Sequence, residues 1–257
     1  MQYPSGVLTY FVYGRRSLIL CIVWCQLYIN IDDLWAAKER APNGSLVPDP
    51  AKFPSGMHAL SMYIHNLGLR LGLYTDVGVR TCGGQPGSFE HECMDAQQFA
   101  DWGVDWVKED HCALPTSASA DIDGFYNAKL AEMRDCLNAT GRPMFFDVCA
   151  HSCYDSDARK HSPACWRQWY ANATRLGNSW RTTTDISNRW SSVLRNWYRN
   201  DNYKNTLPLS PFNGPNHYND PDSLVVGMGG LTANQERLHF SMCVSSPTTK
   251  PIFQVAT

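Results

Sequence analysis

The sequence lacks the features that would connect it with nucleic acid or a membrane. Its net charge is −2, with no basic excess and no run of like charges, so neither nucleic acid nor an anionic membrane surface is favoured as a partner. The apolar run 17–27 is shorter than the ~20 residues of a membrane-spanning helix. Because Arg15 and Arg16 precede it and no small-residue cleavage site follows, three readings stay open: a signal or anchor, a buried strand, and a mis-assembled terminus.

Two further absences narrow the kinds of chemistry. No glycine-rich phosphate loop follows the first predicted strand, which weakens a dinucleotide-binding fold. The eight histidines show neither His-x-His nor His-Glu-x-x-His spacing. A metal-dependent hydrolase using His217, Asp220 and Asp222 is therefore a minor alternative.

Cysteine and glycosylation signals are abundant. Ten cysteines are many for a protein of a reducing compartment. Asn-x-Ser/Thr sequons begin at Asn43, Asn138 and Asn172. Together they predict a secretory-pathway protein, whether extracellular, lysosomal or vacuolar.

A strand–helix rhythm repeats along the chain. Six short apolar segments each end in a polar residue, and their ends are 34 to 43 residues apart, which is room for one βα unit each. Amphipathic helices fill the gaps, with Ser55 as a candidate N-cap and Gly68 and Gly103 as helix ends. The predicted strands are 27–33, 69–76, 104–110, 143–149, 179–185 and 217–222. The predicted core positions of the helices are Met57, Leu60, Ile64 and Leu67; Ala96, Phe99 and Trp102; and Ile122, Phe125, Tyr126, Leu130, Met133 and Leu137.

Consecutive βα units predict a parallel sheet, either doubly wound or closed into a (β/α)₈ TIM barrel. Polar residues at nearly every strand end favour the barrel, whose chemistry collects at the carboxyl face. An aspartate at a strand end is often a helix cap or turn residue, but the set as a whole favours a site. The candidate carboxylates are Asp32, Asp33, Asp76, Asp110, Asp185, Asp220 and Asp222.

Two carboxylates across a scissile bond are what a retaining glycosidase needs. Lys108 lies two positions before Asp110, so both side chains point to one side of the strand and the ammonium keeps the carboxylate ionised. Arg181 lies four positions before Asp185, again in phase if the strand is regular.

Several of these segments resemble glycoside hydrolase family 27, the α-galactosidases and α-N-acetylgalactosaminidases. The resemblance covers about residues 27–242 and implies a TIM barrel and a retaining α-galactosidase that acts by double displacement on terminal α-D-galactose of oligosaccharides, glycolipids or glycoproteins. The segments that carry it are Ile31-Asp-Asp-Leu-Trp35, Phe53-Pro-Ser-Gly56, Gly68-Leu-Arg-Leu-Gly-Leu-Tyr-Thr-Asp-Val-Gly-Val-Arg-Thr-Cys82, 95–112, 177–186 and Tyr218-Asn-Asp-Pro-Asp222.

Family roles transfer position by position. Asp110 is the implied nucleophile and Asp185 the acid/base. Cys82 and Cys112 match a family disulfide, and Cys149 matches a family disulfide cysteine whose partner here is Cys153 or Cys165. No metal or cofactor is implied; the partner is an α-galactoside, and we also allow for a homodimer. The implied substrate-binding residues are Asp32, Asp33, Tyr74, Lys108, Tyr154, Arg181 and Asp222.

The sequence departs from the family at both ends. Nothing before about Leu27 resembles the first strand, Leu34 replaces a usual cysteine, and residues 248–257 do not resemble an eighth strand. We expect an incomplete barrel whose first and eighth units are missing or divergent. The predicted organisation is a divergent segment 1–26, a barrel domain 27–247 and a divergent tail 248–257.

Specificity and activity have alternatives. Ala150 and Cys153 are small where galactosidases carry bulkier residues, so the loop has room for an N-acetyl group, although drift would explain small residues equally well. The alternatives are thus an α-N-acetylgalactosaminidase of the same family or a catalytically inactive carbohydrate-binding remnant.

Overall fold

The computed structural model describes residues 11–13, 16–18, 28–149, 163–202, 212–245 and 253–255. Strands β1 and β2 form a two-stranded antiparallel pair, and the other seven strands form one parallel sheet. The strands are β1 Phe11–Tyr13, β2 Arg16–Leu18, β3 Tyr28–Ile31, β4 Arg70–Asp76, β5 Trp106–Asp110, β6 Phe145–Val148, β7 Ser179–Arg181, β8 Tyr218–Asp220 and β9 Phe253–Val255. The α-helices are α1 Gly56–Asn66, α2 Glu92–Trp102, α3 Ile122–Ala139, α4 Pro163–Leu176, α5 Trp190–Asn202 and α6 Ala233–Ser245, and a 3₁₀ helix spans Thr116–Ala120.

The large sheet follows the order β8-β7-β6-β5-β4-β3-β9. From β3 to β8, each strand pairs in parallel with the next strand along the chain, so their carboxyl ends share one edge. The tail that did not resemble a strand contributes β9, which pairs with β3 at Ile29↔Phe253. The described strands form an open sheet, as expected for an incomplete barrel.

All six predicted strands are present, but four end earlier than predicted. β4 and β5 end at Asp76 and Asp110 as expected, whereas β7 ends at Arg181, so Asp185 lies in the following loop. The assumption that Arg181 and Asp185 share a strand face is therefore wrong. A polar residue following a strand extends the sequence pattern without extending the backbone pairing.

Helix predictions held for the buried faces. Ala96 and Phe99 are buried on α2, and Gly103 ends that helix in the left-handed region, where a Cβ would also lie 2.7 Å from Ser61 Oγ. Three details were wrong. Ile122, predicted as a core position, lies at the start of α3 and is 37% exposed. Leu67 lies past the end of α1 and is exposed, and the side chain of Ser55 makes no capping hydrogen bond.

The core lies between the sheet and the helices. Leu71 and Leu73 of β4 and Val107 of β5 are buried against Leu130 and Met133 of α3 in one apolar cluster. Burial on both faces is typical of a parallel sheet covered by helices. Truncating one such side chain to alanine costs about 2–5 kcal/mol.

One carboxyl group is buried in the layer between sheet and helices. Glu109 of β5 is 0% exposed, and within the described part of the chain neither of its oxygens has a hydrogen-bond partner. Burial, followed by the nearby carboxylates of Asp76, Glu92 and Asp95, raises the pKa of Glu109 well above its ordinary value, and Lys129 offsets only part of this. Folding therefore favours the protonated form of Glu109 relative to the unfolded chain.

Two disulfides cross-link described residues. Cys82–Cys112 joins the loops after β4 and β5, as the resemblance implied. Cys93–Cys136 ties α2 to α3 and was not predicted from the sequence. None of the described helices combines the length and the apolar character needed to cross a membrane.

Replacing Glu109 with Gln should stabilise the protein at neutral pH. The folded wild-type protein binds the proton of Glu109 more tightly than the unfolded chain does. Proton binding therefore stabilises the wild-type fold fully below the ordinary pKa of 4.5, and this contribution is lost as pH rises toward the folded pKa. The glutamine variant has no such loss. Thermal unfolding should show a Tm gain of about 3–6 °C at pH 7.5 and almost none at pH 4. The matched control Glu90→Gln changes an exposed carboxyl in the loop before α2 and should change neither value. An equal gain at both pH values would contradict the assignment.

Removing the Cys93–Cys136 bridge should destabilise the fold without touching the carboxyl face of the sheet. The bridge closes a sequence separation of 43 residues. On loop entropy, the Cys93→Ser/Cys136→Ser variant should lose about 4 kcal/mol of unfolding free energy in urea titration. A loss below about 1 kcal/mol would show that the unfolded chain is already restricted there.

Candidate active site

Asp110 is the last residue of β5 and lies in register with Asp76, the last residue of β4. Tyr74 donates its hydroxyl to Asp110 Oδ2 at 3.1 Å. Asp110 Oδ1 accepts the backbone N–H of His111 at 3.0 Å and lies 3.3 Å from the His111 ring nitrogen Nδ1. The nucleophile candidate is therefore held through both oxygens.

Local charges keep Asp110 ionised. Burial by itself raises the pKa of Asp110, but contact with the His111 ring and the charge of Lys108 act in the opposite direction. The charge of Arg181 adds to them, and together they hold the pKa well below its ordinary value. The neighbouring groups are shifted the other way: burial, followed by the charge of Asp110, raises the pKa values of both Tyr74 and Asp76.

Lys108 links Asp110 with the end of β3. Its ammonium donates to Asp32 Oδ2 at 2.7 Å and lies 5.1 Å from the centre of the Tyr74 ring. Burial lowers the pKa of Lys108, but the adjacent carboxylates of Asp32 and Asp110 outweigh burial and raise it. Lys108 therefore remains charged between the two strands.

Asp33 occupies the rim beside Asp32. Its Oδ2 accepts the backbone N–H of Gly83 at 2.6 Å, and its Oδ1 accepts that of Leu34 at 2.7 Å. Both oxygens of Asp33 therefore bind backbone N–H groups, one of them from the loop after β4.

Arg181 organises the other half of the site. One guanidinium nitrogen donates to Asp185 Oδ1 at 2.9 Å and to Asp222 Oδ2. Asp222 also accepts the backbone N–H of Ile186 at 2.7 Å, whereas the side chain of Asp185 is 97% exposed. Burial raises the pKa of Asp222, with the Arg181 charge opposing it. One carboxylate therefore anchors the arginine and the other is presented to solvent.

The two halves face each other across β6. Neighbouring strands lie ~4.8 Å apart, so the axes of β5 and β7 are about 10 Å apart. Arg181 lowers the pKa of Asp110, and Lys108 lowers that of Asp222, so the charges act across this space. The carboxylates of Asp110 and Asp185 thus follow strands β5 and β7, on either side of β6 at the same edge of the sheet.

Cys149, at the end of β6, is a buried free thiol. This corrects the disulfide that the resemblance implied for Cys149; Cys165, one of its two candidate partners, is instead disulfide-bonded. Burial, followed by the charge of Asp110, raises the pKa of Cys149, so the thiol stays neutral. The other candidate partner, Cys153, lies outside the described residues.

A group of potential metal ligands surrounds the nucleophile candidate. Atoms of Asp76, Cys82, Asp110 and Cys112 lie within 4.8 Å of one another. Both sulfurs belong to the Cys82–Cys112 bridge, so no thiolate is offered there. Among the described residues no comparable group forms around His217, the centre of the metal alternative.

The structure thus brings most of the predicted site residues to one edge of the sheet. Asp32, Asp33, Tyr74, Lys108 and Asp110 form one half of the site. Arg181, Asp185 and Asp222 form the other half. Tyr154 lies outside the described residues.

Sequence reasoning missed His111 and the free thiol of Cys149. His111 directly follows the candidate nucleophile, so its position in the sequence could have marked it as a site residue. The direction of its side chain could not be predicted from strand periodicity, because β5 ends at Asp110.

Comparisons with known proteins agree with this geometry. A family profile described as alpha galactosidase A matches residues 24–253. A probable alpha-galactosidase of Dictyostelium discoideum is 40% identical over 215 residues, covering 84% of this chain and 49% of that protein. An alpha-N-acetylgalactosaminidase of Gallus gallus is 41% identical over 228 residues, covering 85% of this chain and 51% of that protein.

Solved structures show the same fold. The α-galactosidase of Saccharomyces cerevisiae matches with a TM-score of 0.69 at 30% identity, over 87% of this chain and 50% of that one. The likeness confirms the predicted fold class, an incomplete (β/α)₈ barrel. The chain spans about half the length of the curated relatives it matches. Since the profile covers most of the sequence and the parallel strands follow the same fold, the chain belongs to glycoside hydrolase family 27, the alpha galactosidase A family.

Proposed function

We propose that this protein is a retaining α-galactosidase in which Asp110 is the nucleophile and Asp185 the general acid/base. The proposal rests on the carboxylate of Asp110, bound by the Tyr74 hydroxyl at the end of β5, together with the exposed carboxyl of Asp185 in the loop after β7. A nucleophile must be charged and fixed, and an acid/base must reach the leaving group and water.

In the first step, an oxygen of Asp110 bonds to the anomeric carbon while the bond to the leaving oxygen breaks. Asp185 gives its proton to that oxygen. In the second step, Asp185 takes a proton from water, whose oxygen attacks the anomeric carbon and releases Asp110. Two inversions at one carbon give net retention.

The remaining side chains are assigned to binding and charge control. Asp32 and Asp33 are assigned to binding sugar hydroxyls from the family resemblance, since carboxylates accept hydrogen bonds. Lys108 offsets the negative charge near the nucleophile, and Arg181 holds Asp185 at the edge of the cavity. Asp222 and the backbone N–H of Ile186 keep that arginine in place. Tyr154 is assigned to the sugar pocket from the family resemblance.

Secretion, glycosylation and lysosomal or vacuolar delivery belong to the same proposal. They rest on the cysteine content and the sequons. Relatives include plant, animal and bacterial α-galactosidases or α-N-acetylgalactosaminidases.

Replacing either carboxylate should give opposite azide products. Asp110→Ala should lower kcat on 4-nitrophenyl α-D-galactoside by roughly 10³-fold or more, because no covalent intermediate forms. With azide, this variant should yield the inverted galactosyl azide. Asp185→Ala should yield the azide of retained configuration, because the first step with an activated leaving group needs little acid assistance.

The control is Asp101→Asn, which changes an exposed carboxyl on α2 and should leave kcat unchanged. Equal azide stereochemistry from both variants would refute the assignment of roles. Galactose binding by the intact chain without any turnover would favour the inactive carbohydrate-binding remnant.

The second candidate activity is α-N-acetylgalactosaminidase, favoured by the small residue at position 150 and the relative of that activity. Ala150→Glu should reduce kcat/KM for the 4-nitrophenyl α-N-acetylgalactosaminide by roughly tenfold or more, because the larger side chain fills the space for the acetamido group. The α-galactoside should be affected much less. Equal losses on both substrates would show that position 150 does not determine specificity for the substituent at C2 of the sugar.

A further inference from the structure

The residue after the nucleophile candidate makes a contact that the proposed mechanism does not use. His111 Nδ1 lies 3.3 Å from Asp110 Oδ1, the same oxygen that accepts the His111 backbone N–H at 3.0 Å. Tyr74 occupies the other oxygen, Oδ2. His111 thus donates its backbone N–H to this carboxylate oxygen and places a ring nitrogen at ion-pair distance from the same oxygen.

The His111 ring is held in place by its surroundings. It packs edge-on against Tyr126 with the ring centres 5.7 Å apart, and its side chain is 24% exposed. Tyr126 is fully buried in α3 and donates its hydroxyl to the Cys149 carbonyl at the end of β6. The ring is therefore braced by the neighbouring helix, so its direction toward Asp110 does not depend on the loop alone.

From these contacts we propose that His111 is a positioning residue for the nucleophile, which fixes the Asp110 carboxylate and keeps it ionised at acidic pH. The proposal rests on the assignment of Asp110 as nucleophile. A ring nitrogen that donates toward a carboxylate stabilises its charged form. A carboxylate held in one orientation also lowers the entropic cost of reaching the geometry of attack.

Other charged groups face Asp110, and their balance decides how much His111 matters. Asp76 and the Cys82–Cys112 bridge lie on the β4 side, and burial, followed by the charge of Asp110, raises the pKa of Asp76. Lys108 is on β5 itself, and Arg181 acts from β7.

These two permanent cations are already paired with other carboxylates. Lys108 is paired with Asp32, and Arg181 with Asp222 and Asp185. The His111 ring, by contrast, directly contacts an Asp110 oxygen.

The effect should be visible as a pH profile. Contact with His111 is, after burial, the largest influence on the pKa of Asp110, and it lowers that pKa. Without it, Asp110 takes up a proton at higher pH. The acidic limb of the kcat/KM profile should then move to higher pH.

Two substitutions separate positioning from packing. His111→Phe keeps an aromatic ring against Tyr126 and removes the nitrogen. His111→Asn removes the ring and keeps a side-chain nitrogen near the same place. If His111 acts on Asp110, the Phe variant should lose kcat roughly tenfold with an unchanged KM, and its acidic limb should rise by about one pH unit. The Asn variant should retain most of kcat, because its amide still donates.

A merely structural role predicts the reverse order. The Phe variant would then behave as wild type, and the Asn variant would lose Tm and activity together. That outcome, or an acidic limb that is the same in wild type and His111→Phe, would overturn the proposal.

A readout independent of turnover keeps this test separate from the proposed function. The side-chain carboxyl carbon of Asp110, followed by ¹³C NMR during pH titration and assigned with Asp110→Asn, should titrate at higher pH in His111→Phe than in wild type. An unchanged titration would refute the contact's role even in an active enzyme. A shifted titration in a chain without turnover would instead support the contact and count against the proposed activity.

Discussion

The alternation of side chains along β5 is the constraint on which the site depends. Consecutive residues of a strand point to opposite faces. Lys108 and Asp110 therefore face the cavity, and Glu109 faces the layer packed by helices. The pKa of Asp110 is held low by cations and a ring nitrogen, whereas that of Glu109 is raised by burial among other carboxyls. The pKa values of two adjacent carboxyl groups are thus shifted in opposite directions because the strand separates their surroundings.

Parallel pairing extends this constraint to the neighbouring strands. Register places Tyr74 beside Lys108 and Asp76 beside Asp110, so burial raises the pKa values of Tyr74 and Asp76 while neighbouring charges lower that of Asp110. The Cys82–Cys112 bridge joins the loops that leave these two strands. Site electrostatics and rim geometry therefore follow from a single pair of strands.

The opposite half of the site has a different design. Arg181 ends a short strand, and its guanidinium joins a buried carboxyl, Asp222, to an exposed one, Asp185. Burial fixes the position of Asp222, while exposure leaves Asp185 accessible to water and a leaving group. This asymmetry suits an acid/base that must exchange protons twice in each catalytic cycle.

The sequence by itself determined the βα rhythm, the barrel fold and the grouping of polar residues at strand ends. These are local properties, because apolar runs, helix periodicity and strand-terminal aspartates can be read from short segments. The family motifs, found in the expected order along the chain, supported the same fold. It could not place strand ends, because Asp185 and Asp33 continue a polar pattern after pairing has stopped. Only the tertiary structure decided that Cys93 bonds to Cys136, that Cys149 is a free thiol and that the His111 ring turns to Asp110. Each of these depends on the distance between segments remote in sequence, or on packing against another element, and neither quantity is encoded in spacing along the chain.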